Sequence, residues 1–249
     1  LIRTNSLSKT FKSRTGTTEA VKDVSVTFPP GLSVLIGGNG SGKSTLIRLL
    51  CTIEKPTRGG FSVDGTEIAG RALVNYRRRI GYVPQDVRFA STMTCRDALA
   101  YAGWVAGLDR RAYLRRIPEV LEMIELPEIE NSRVSNLSGG QTRRVGIAAS
   151  LIHSPDILFL DEPTAGLDPQ ARIEVRHLLN RLKDSATIIL STHLQDDLEH
   201  VADNVVALHN GRIAYEGEWN RLKAVSADNF SSVSTDPLER ALAYVASKH

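Results

Sequence analysis

The chain has only two cysteines, Cys51 and Cys95, in 249 residues. Without metal-site spacing or a disulfide framework they read as packing residues in a reducing compartment. No uninterrupted apolar run approaches the roughly 20 residues that cross a bilayer, and no basic stretch followed by an apolar one opens the chain at Leu1. Any membrane role is therefore expected to come through a partner. Strong charge of either sign is also missing: 31 Lys plus Arg against 28 Asp plus Glu leave a formal charge of +3, short of the basic field of a nucleic-acid binder. The clusters Arg77 to Arg79, Arg110-Arg111 and Arg115-Arg116 lack interleaved aromatic residues for base stacking, so they read as solvated faces and no nucleic-acid partner is expected.

What is present is a globular composition, 41% hydrophobic and 24% charged, in a length that suits one elaborated domain. Val24, Val26 and Phe28 alternate with Ser25 and Thr27, the period of a half-buried strand, which Pro29-Pro30-Gly31 ends. A short apolar run, Ser33 to Ile36, leads through glycines to a helical pattern over Ser44 to Ile53, stopped by Pro56 and Gly59-Gly60. Phe61 to Val63 before Asp64-Gly65 predicts a hairpin. From Thr94 to Ile152 the spacing is helical, with Ala98, Tyr101, Ala102 and Val105 on one face and Val120, Leu121 and Ile124 on another. Strand signals return at Ile157 to Leu160, Thr187 to Leu190 and Val205 to Leu208, with a helix carried by Ile173, Leu178, Leu179 and Leu182 between the first two. This alternation predicts an α/β fold with a parallel sheet covered on both faces, a small antiparallel part near the N-terminus and a helical insertion. Asn210-Gly211 marks a hairpin, and Asp236-Pro237 reads as the cap and first residue of a last helix.

Gly37-Gly38-Asn39-Gly40-Ser41-Gly42-Lys43-Ser44-Thr45 satisfies G-x-x-x-x-G-K-[ST] after a strand and at the opening of a helix. Its glycines let backbone N–H groups turn onto phosphates, the helix terminus adds its dipole, Lys43 reaches the terminal phosphates and the Ser44 hydroxyl suits Mg²⁺. The alternative is a glycine-rich turn with a chance lysine. Ile157 to Leu160 is a buried-strand run ending in Asp161-Glu162, where open parallel sheets place their ligands. In a phosphoryl-transfer site Asp161 would hold the metal shell and Glu162 would orient or deprotonate the attacking water; strand-end acids or helix caps are the bland reading. Ser138 and Gln141 have the spacing of a capping box. Capping leaves Gly139-Gly140 unexplained, since glycine costs about 1 kcal/mol relative to alanine in a helix, whereas bare N–H groups suit an approaching anion.

With Leu137 to Gln141 reading LSGGQ, the chain resembles the ATP-binding cassette (ABC) ATPases, specifically the nucleotide-binding subunit of an ABC transporter, over roughly residues 1 to 217. The resemblance implies a P-loop NTPase (RecA-like) core at 1–92 and 153–217, a helical subdomain at 93–152 and a C-terminal extension at 218–249. It implies ATP and Mg²⁺ as ligands and a head-to-tail dimer, with a second copy or a related ABC subunit. In that dimer Gly37 to Thr45 of one subunit faces Ser138, Gly139, Gly140 and Gln141 of the other across ATP. Carried over one position at a time, Phe11 sits where an aromatic stacks on adenine, although tyrosine is commoner there and a core phenylalanine is the other reading. Gln85, in Tyr82-Val83-Pro84-Gln85, matches the glutamine that touches Mg²⁺ or its water; a surface glutamine after a turn is the alternative. Asp168, before Pro169, matches the residue that crosses the dimer interface and also reads as a helix cap. His193, in Ser191-Thr192-His193, matches the histidine at the terminal phosphate. Gly38 replaces a common proline and Thr142 a common Arg or Gln, and neither removes a phosphate or water contact.

The resemblance thus implies an ATPase that drives a separate integral membrane permease from the cytoplasmic face of the membrane, with export the expected direction. A soluble ABC ATPase acting on nucleic acid or ribosomes is the alternative; each motif occurs once and no long coiled-coil insertion separates Lys43 from Ser138, which disfavours it. A binding-only ATP sensor is disfavoured by the intact Asp161, Glu162 and His193.

Overall fold

The computed structural model describes residues 1–13, 16–230 and 237–247. The chain opens with two long antiparallel strands, β1 (Ile2–Ser13) and β2 (Gly16–Val24), followed by the two-residue β3 (Thr27–Phe28). The predicted strand over Val24 to Phe28 is therefore split. The alternation is nonetheless right, since Val24, Val26 and Phe28 are all buried. The break arises because the Thr4 hydroxyl donates to the Val24 carbonyl and accepts from the Val26 N–H, both at 2.9 Å, replacing ladder bonds with side-chain ones. With β5 (Arg58–Val63) and β6 (Thr66–Glu67) these strands make an antiparallel sheet in which β3 pairs with β1. The hairpin expected at Asp64-Gly65 joins β5 to β6, both turn residues having positive φ.

The second sheet runs β11-β10-β4-β9-β8-β7. Its strands are β4 (Leu32–Ile36), β7 (Ile80–Val83), β8 (Ile157–Asp161), β9 (Thr187–Ser191), β10 (Asn204–His209) and β11 (Arg212–Gly217). The first five are mutually parallel, and β11 is an antiparallel edge reached through Asn210-Gly211. Alternate residues of the central strands feed two cores. Val34, Leu158, Leu160, Ile188 and Val205 join one, while Leu35, Phe159, Ile189 and Val206 join the other with Ile2, Val21, Phe28 and Phe61 of the antiparallel sheet. β4, β8 and β9 are buried on both faces and so read as near-continuous apolar runs, whereas β7, with alternate residues half-buried, carries no such signal.

Helix α1 (Lys43–Leu50) belongs to the second of these cores through Leu46, Ile47 and Leu50. It ends three residues before the predicted Ile53, because Thr52 turns left-handed at φ 58° and Ile53 is exposed. Helix α2 (Ala72–Arg79), which the sequence reading left unassigned, precedes β7. Helices α3 (Cys95–Val105), α4 (Arg110–Met123) and α5 (Gly139–Leu151) fill the predicted helical stretch. The expected apolar face of α3 is corrected: Cys95, Ala98, Leu99 and Gly103 are buried, but Tyr101 and Val105 are exposed with Trp104. Helix α6 (Pro169–Leu182) buries Leu178, Leu179 and Leu182 but exposes Ile173. After it come α7 (Gln195–Val201), α8 (Trp219–Phe230) and α9 (Pro237–Ser247). Trp219, Leu222, Leu238, Ala241 and Val245 from the last two join the first core. The predicted cap Asp236 lies outside the described residues. Cys51 and Cys95 are buried free thiols.

At the crossing of α3 and α4, a Cβ on Gly103 would lie 2.5 Å from the Cβ of Tyr113. Gly103→Ala gains about 1 kcal/mol of helix propensity but forces apart helices that have no room to give, an overpacking cost of about 1–3 kcal/mol. The cost wins. Calorimetric melting of this variant is expected to show a midpoint lower by about 2–4 °C; a raised midpoint would show that the crossing relaxes freely.

Candidate active site

The loop after β4 is built on positions that exclude side chains. Gly37 has φ 152°, and a Cβ there would lie 2.4 Å from the Leu208 carbonyl oxygen. Gly42, the N-cap of α1 at φ 107°, would bring a Cβ 2.4 Å from the Ala20 carbonyl oxygen. Only glycine fits either place. Within the loop the Ser41 N–H donates to the Gly38 carbonyl at 3.1 Å, while the Ser41 carbonyl accepts from the Gly211 N–H at 3.0 Å. The loop is thus pinned to the β10–β11 turn. Gly37 to Thr45 line a cleft of about 800 Å³ together with Thr18, Ala20, Gln85, Glu162, His193 and Leu242.

Lys43 is buried, and its ammonium donates to the carbonyls of Gly37 at 2.8 Å and Gly38 at 3.3 Å. Burial lowers its pKa, and the charges of Glu162 and Asp161 act in the opposite direction. A polyphosphate entering the cleft meets an ammonium already folded back over the loop. The Ser44 hydroxyl donates to Asp161 Oδ1 at 2.9 Å, and the Ser191 hydroxyl donates to the same oxygen at 2.7 Å.

Glu162, just past the end of β8, has φ 51°, an uncommon conformation for a residue with a side chain. Its N–H is held by the Ser191 hydroxyl at 3.0 Å and the Ser191 carbonyl at 3.1 Å. Held this way, the Glu162 carboxylate meets the imidazole of His193, Oε2 to Nδ1, at 2.7 Å. A carboxylate and an imidazole in contact at the mouth of a phosphate-type loop can take up a proton from water and hold it.

Phe11 does not line the cleft. It is paired with Thr18 across the β1–β2 ladder, is 39% exposed, and has the Lys9 ammonium 4.9 Å above its ring. The core-phenylalanine reading therefore falls. Ser138, Gly139, Gly140, Gln141 and Asp168 are also absent from the cleft lining. They form a second group: Ser138 and Gln141 complete the predicted capping box on α5, and Asp168 caps α6 by accepting from the Ala171 N–H at 3.0 Å. A Cβ on Gly140 would lie 2.7 Å from the Ala171 Cβ, so that glycine serves packing of α5 on α6; a Cβ on Gly139 would meet nothing within 4 Å. Ser138, Gly139 and Asp168 face solvent.

The sequence reading missed Arg143 and the residues behind His193. Buried Arg143 on α5 donates to the carbonyls of Pro84 at 2.9 Å and Gln85 at 2.6 Å. Its signal was available, because Arg143 shares a helix face with Gly146 and Ile147, where an unpartnered charge would be costly. Arg176 stands likewise on the face of α6 that carries Leu179.

Among the described residues no group of three or more His, Cys, Asp or Glu is arranged to hold a metal ion. That suits Mg²⁺, which takes one or two protein ligands and completes its shell with phosphate oxygens and water. The Ser44–Asp161 pair and the glycine cradle fit such a metal–polyphosphate ligand. The buried Ser41 hydroxyl oxygen also has no hydrogen-bond partner among the described residues.

Comparison with known proteins agrees with this chemistry. The family model described as "ABC transporter" matches residues 21–165. An uncharacterized ABC transporter ATP-binding protein, YxlF of Bacillus subtilis, is 38% identical over 217 residues, 87% of this chain and 72% of that one. Methionine import ATP-binding protein MetN 2 of Bacillus licheniformis is 34% identical over 249 residues, 96% of this chain and 73% of that one. Among solved structures, a dimeric ATP-binding cassette in a post-hydrolysis state bound to ADP and phosphate superposes with a TM-score of 0.76 at 26% identity, covering 88% of this chain and 98% of that one. The loop, the strand-end acids and these matches together place the chain in the ABC transporter family, as an ATP-binding subunit with the P-loop NTPase fold that hydrolyses ATP with Mg²⁺.

Proposed function

We propose that this chain works from the cytoplasmic face of a membrane as the motor of a separate permease, two subunits closing head to tail around ATP. The observation that carries this reading is the contact of Glu162 with His193 at 2.7 Å in the same cleft as Lys43 and the glycine loop. The backbone N–H groups of Gly37 to Thr45 and the Lys43 ammonium bind the phosphates, and Ser44, Asp161 and Gln85 hold the Mg²⁺ shell. Bound Mg²⁺ neutralises charge that builds on the phosphate oxygens. Glu162 orients the attacking water and takes its proton, while His193 keeps the carboxylate aimed and contacts the terminal phosphate. Phe11, exposed beside Thr18, offers its ring to the adenine. The solvent-facing Ser138, Gly139 and Asp168, with Gly140 and Gln141, serve the nucleotide of the opposite subunit.

We assign the catalytic core to 1–92 and 153–217, the helical subdomain to 93–152 and an extension to 218–249. Among the described residues no helix is long and apolar enough to cross a membrane, and the reading gives that task to a separate permease. Its docking place is the apolar groove of Phe89, Met93, Tyr101, Ala102 and Val105, adjoining the Gln85 segment. Trp104, 64% exposed on the same helix, extends that apolar surface. The likeness to a methionine import subunit favours import as a second reading beside export; ATP-driven uptake or extrusion by sealed vesicles distinguishes the two.

Glu162→Gln is expected to lower steady-state ATP turnover by about 10²–10⁴-fold, the usual contribution of a general base, and to leave an ATP-bound dimer stable in size-exclusion chromatography. Turnover equal to wild type would falsify the assignment. Chelation of Mg²⁺ is expected to stop hydrolysis and readdition to restore it; phosphate release that persists in chelator would remove Mg²⁺ from the scheme. Val105→Asp, which puts a charge into the apolar groove, is expected to abolish recovery with an integral membrane protein after mild detergent extraction. ATP affinity is the control for folding there, and retained recovery would move the docking place elsewhere.

A further inference from the structure

We propose that Asp197 is a positioning residue for hydrolysis, its carboxylate setting the alignment of Glu162 with His193. The inference rests on the roles given to those two residues above. Asp197, on α7, is 2% exposed and accepts three hydrogen bonds from three different segments. Its Oδ2 accepts from the hydroxyls of Thr164 at 2.5 Å and Thr192 at 2.7 Å, and its Oδ1 accepts from Arg176 Nε at 2.9 Å. Thr164 lies two residues past Glu162, Thr192 immediately precedes His193, and Arg176 belongs to the helix that Asp168 caps.

The polarity of these bonds is what ties the network to the imidazole. A hydroxyl has one proton, and that of Thr192 goes to Asp197. The Thr192 oxygen is then left to accept from the Leu194 N–H, at 3.1 Å. The residues on both sides of His193 thus hang from one carboxylate. On the opposite side of the contact, Thr164 ties the chain that leaves Glu162 to the same oxygen. The Glu162 backbone itself is kept left-handed by Ser191. Arg176, which also lies 3.4 Å from Asp196, supplies the charge that makes the buried carboxylate tolerable.

An asparagine at 197 cannot reproduce this pattern. With its oxygen toward the threonines, its NH₂ confronts the Arg176 N–H; flipped, its NH₂ confronts two hydroxyls that must then turn away. Removing the Thr192 hydroxyl alone frees the turn around His193 while leaving Asp197 paired with Arg176 and Thr164.

The test measures ATP turnover and equilibrium ATP affinity of the full chain with Mg²⁺ for wild type, Asp197→Asn, Thr192→Val and Thr192→Ser. Thermal melting serves to show that each is folded. Misalignment on the scale of an ångström is expected to lower kcat by about tenfold or more in Thr192→Val with ATP affinity unchanged within about twofold. Thr192→Ser, which restores the hydroxyl, is expected to recover kcat to within about threefold of wild type, and Asp197→Asn to lose at least as much as Thr192→Val. A folded Thr192→Val with kcat within about threefold of wild type, or with ATP affinity falling in step with kcat, overturns the proposal. If Asp197→Asn does not fold, the Thr192 pair decides alone. Wild type and Glu162→Gln in the same assay keep the two readings apart: equal turnover there rejects the roles of Glu162 and His193, whereas loss there with an unaffected Thr192→Val rejects Asp197 only.

Discussion

One oxygen of Asp161 accepts hydroxyl protons from Ser44 and Ser191, and through it the phosphate loop and two neighbouring strand ends become a single site. The sheet order makes this possible. Because β9 lies between β4 and β8 in parallel register, the carboxyl ends of three strands, distant in sequence, open side by side. The first supplies the glycine loop, the second Asp161 and Glu162, the third Ser191 and His193. Ser191 has a double duty, since its hydroxyl donates to Asp161 and accepts from the Glu162 N–H. Asp161 and Glu162 are therefore set relative to one another by one small side chain.

The parts legible in the sequence are those whose physics is local. Gly37 to Thr45 announces itself because Gly37 and Gly42 each have a nearby steric reason and the pattern sits between an apolar run and a helix. The parallel strands other than β7 show as apolar runs since both their faces are covered, while the half-buried β7 went unread. Ser138 is readable as a cap from Gln141 three residues on, and Asp168 from the proline that follows it. The interruption between β2 and β3 was not readable, because it depends on Thr4, twenty residues upstream, bonding across the sheet. Asp197 was hidden for the same reason: its partners come from three segments, and on α7 it reads as one acid beside another. The exposed face of α3 misled in a more specific way. Tyr101 and Val105 obey helical apolar spacing, which reports that a surface is sticky and not what covers it.

The two groups of candidate residues are mechanically joined within one subunit. Gly140 packs the start of α5 against Ala171 at the start of α6, so the LSGGQ end and the Asp168 cap form one surface. Arg176 further along α6 reaches Asp197, and through it the threonines beside Glu162 and His193. A solvent-facing surface is thereby connected through buried hydrogen bonds to the segments that carry Glu162 and His193 into the cleft.

The grip of Arg143 on two consecutive carbonyls has a further consequence. A guanidinium is a flat, rigid fork, and with both prongs engaged on Pro84 and Gln85 it resists twisting as well as pulling. Helix α5 and the segment that leaves β7 are therefore joined by one buried side chain at two consecutive carbonyls, so that a tilt of the helix would strain both bonds at once.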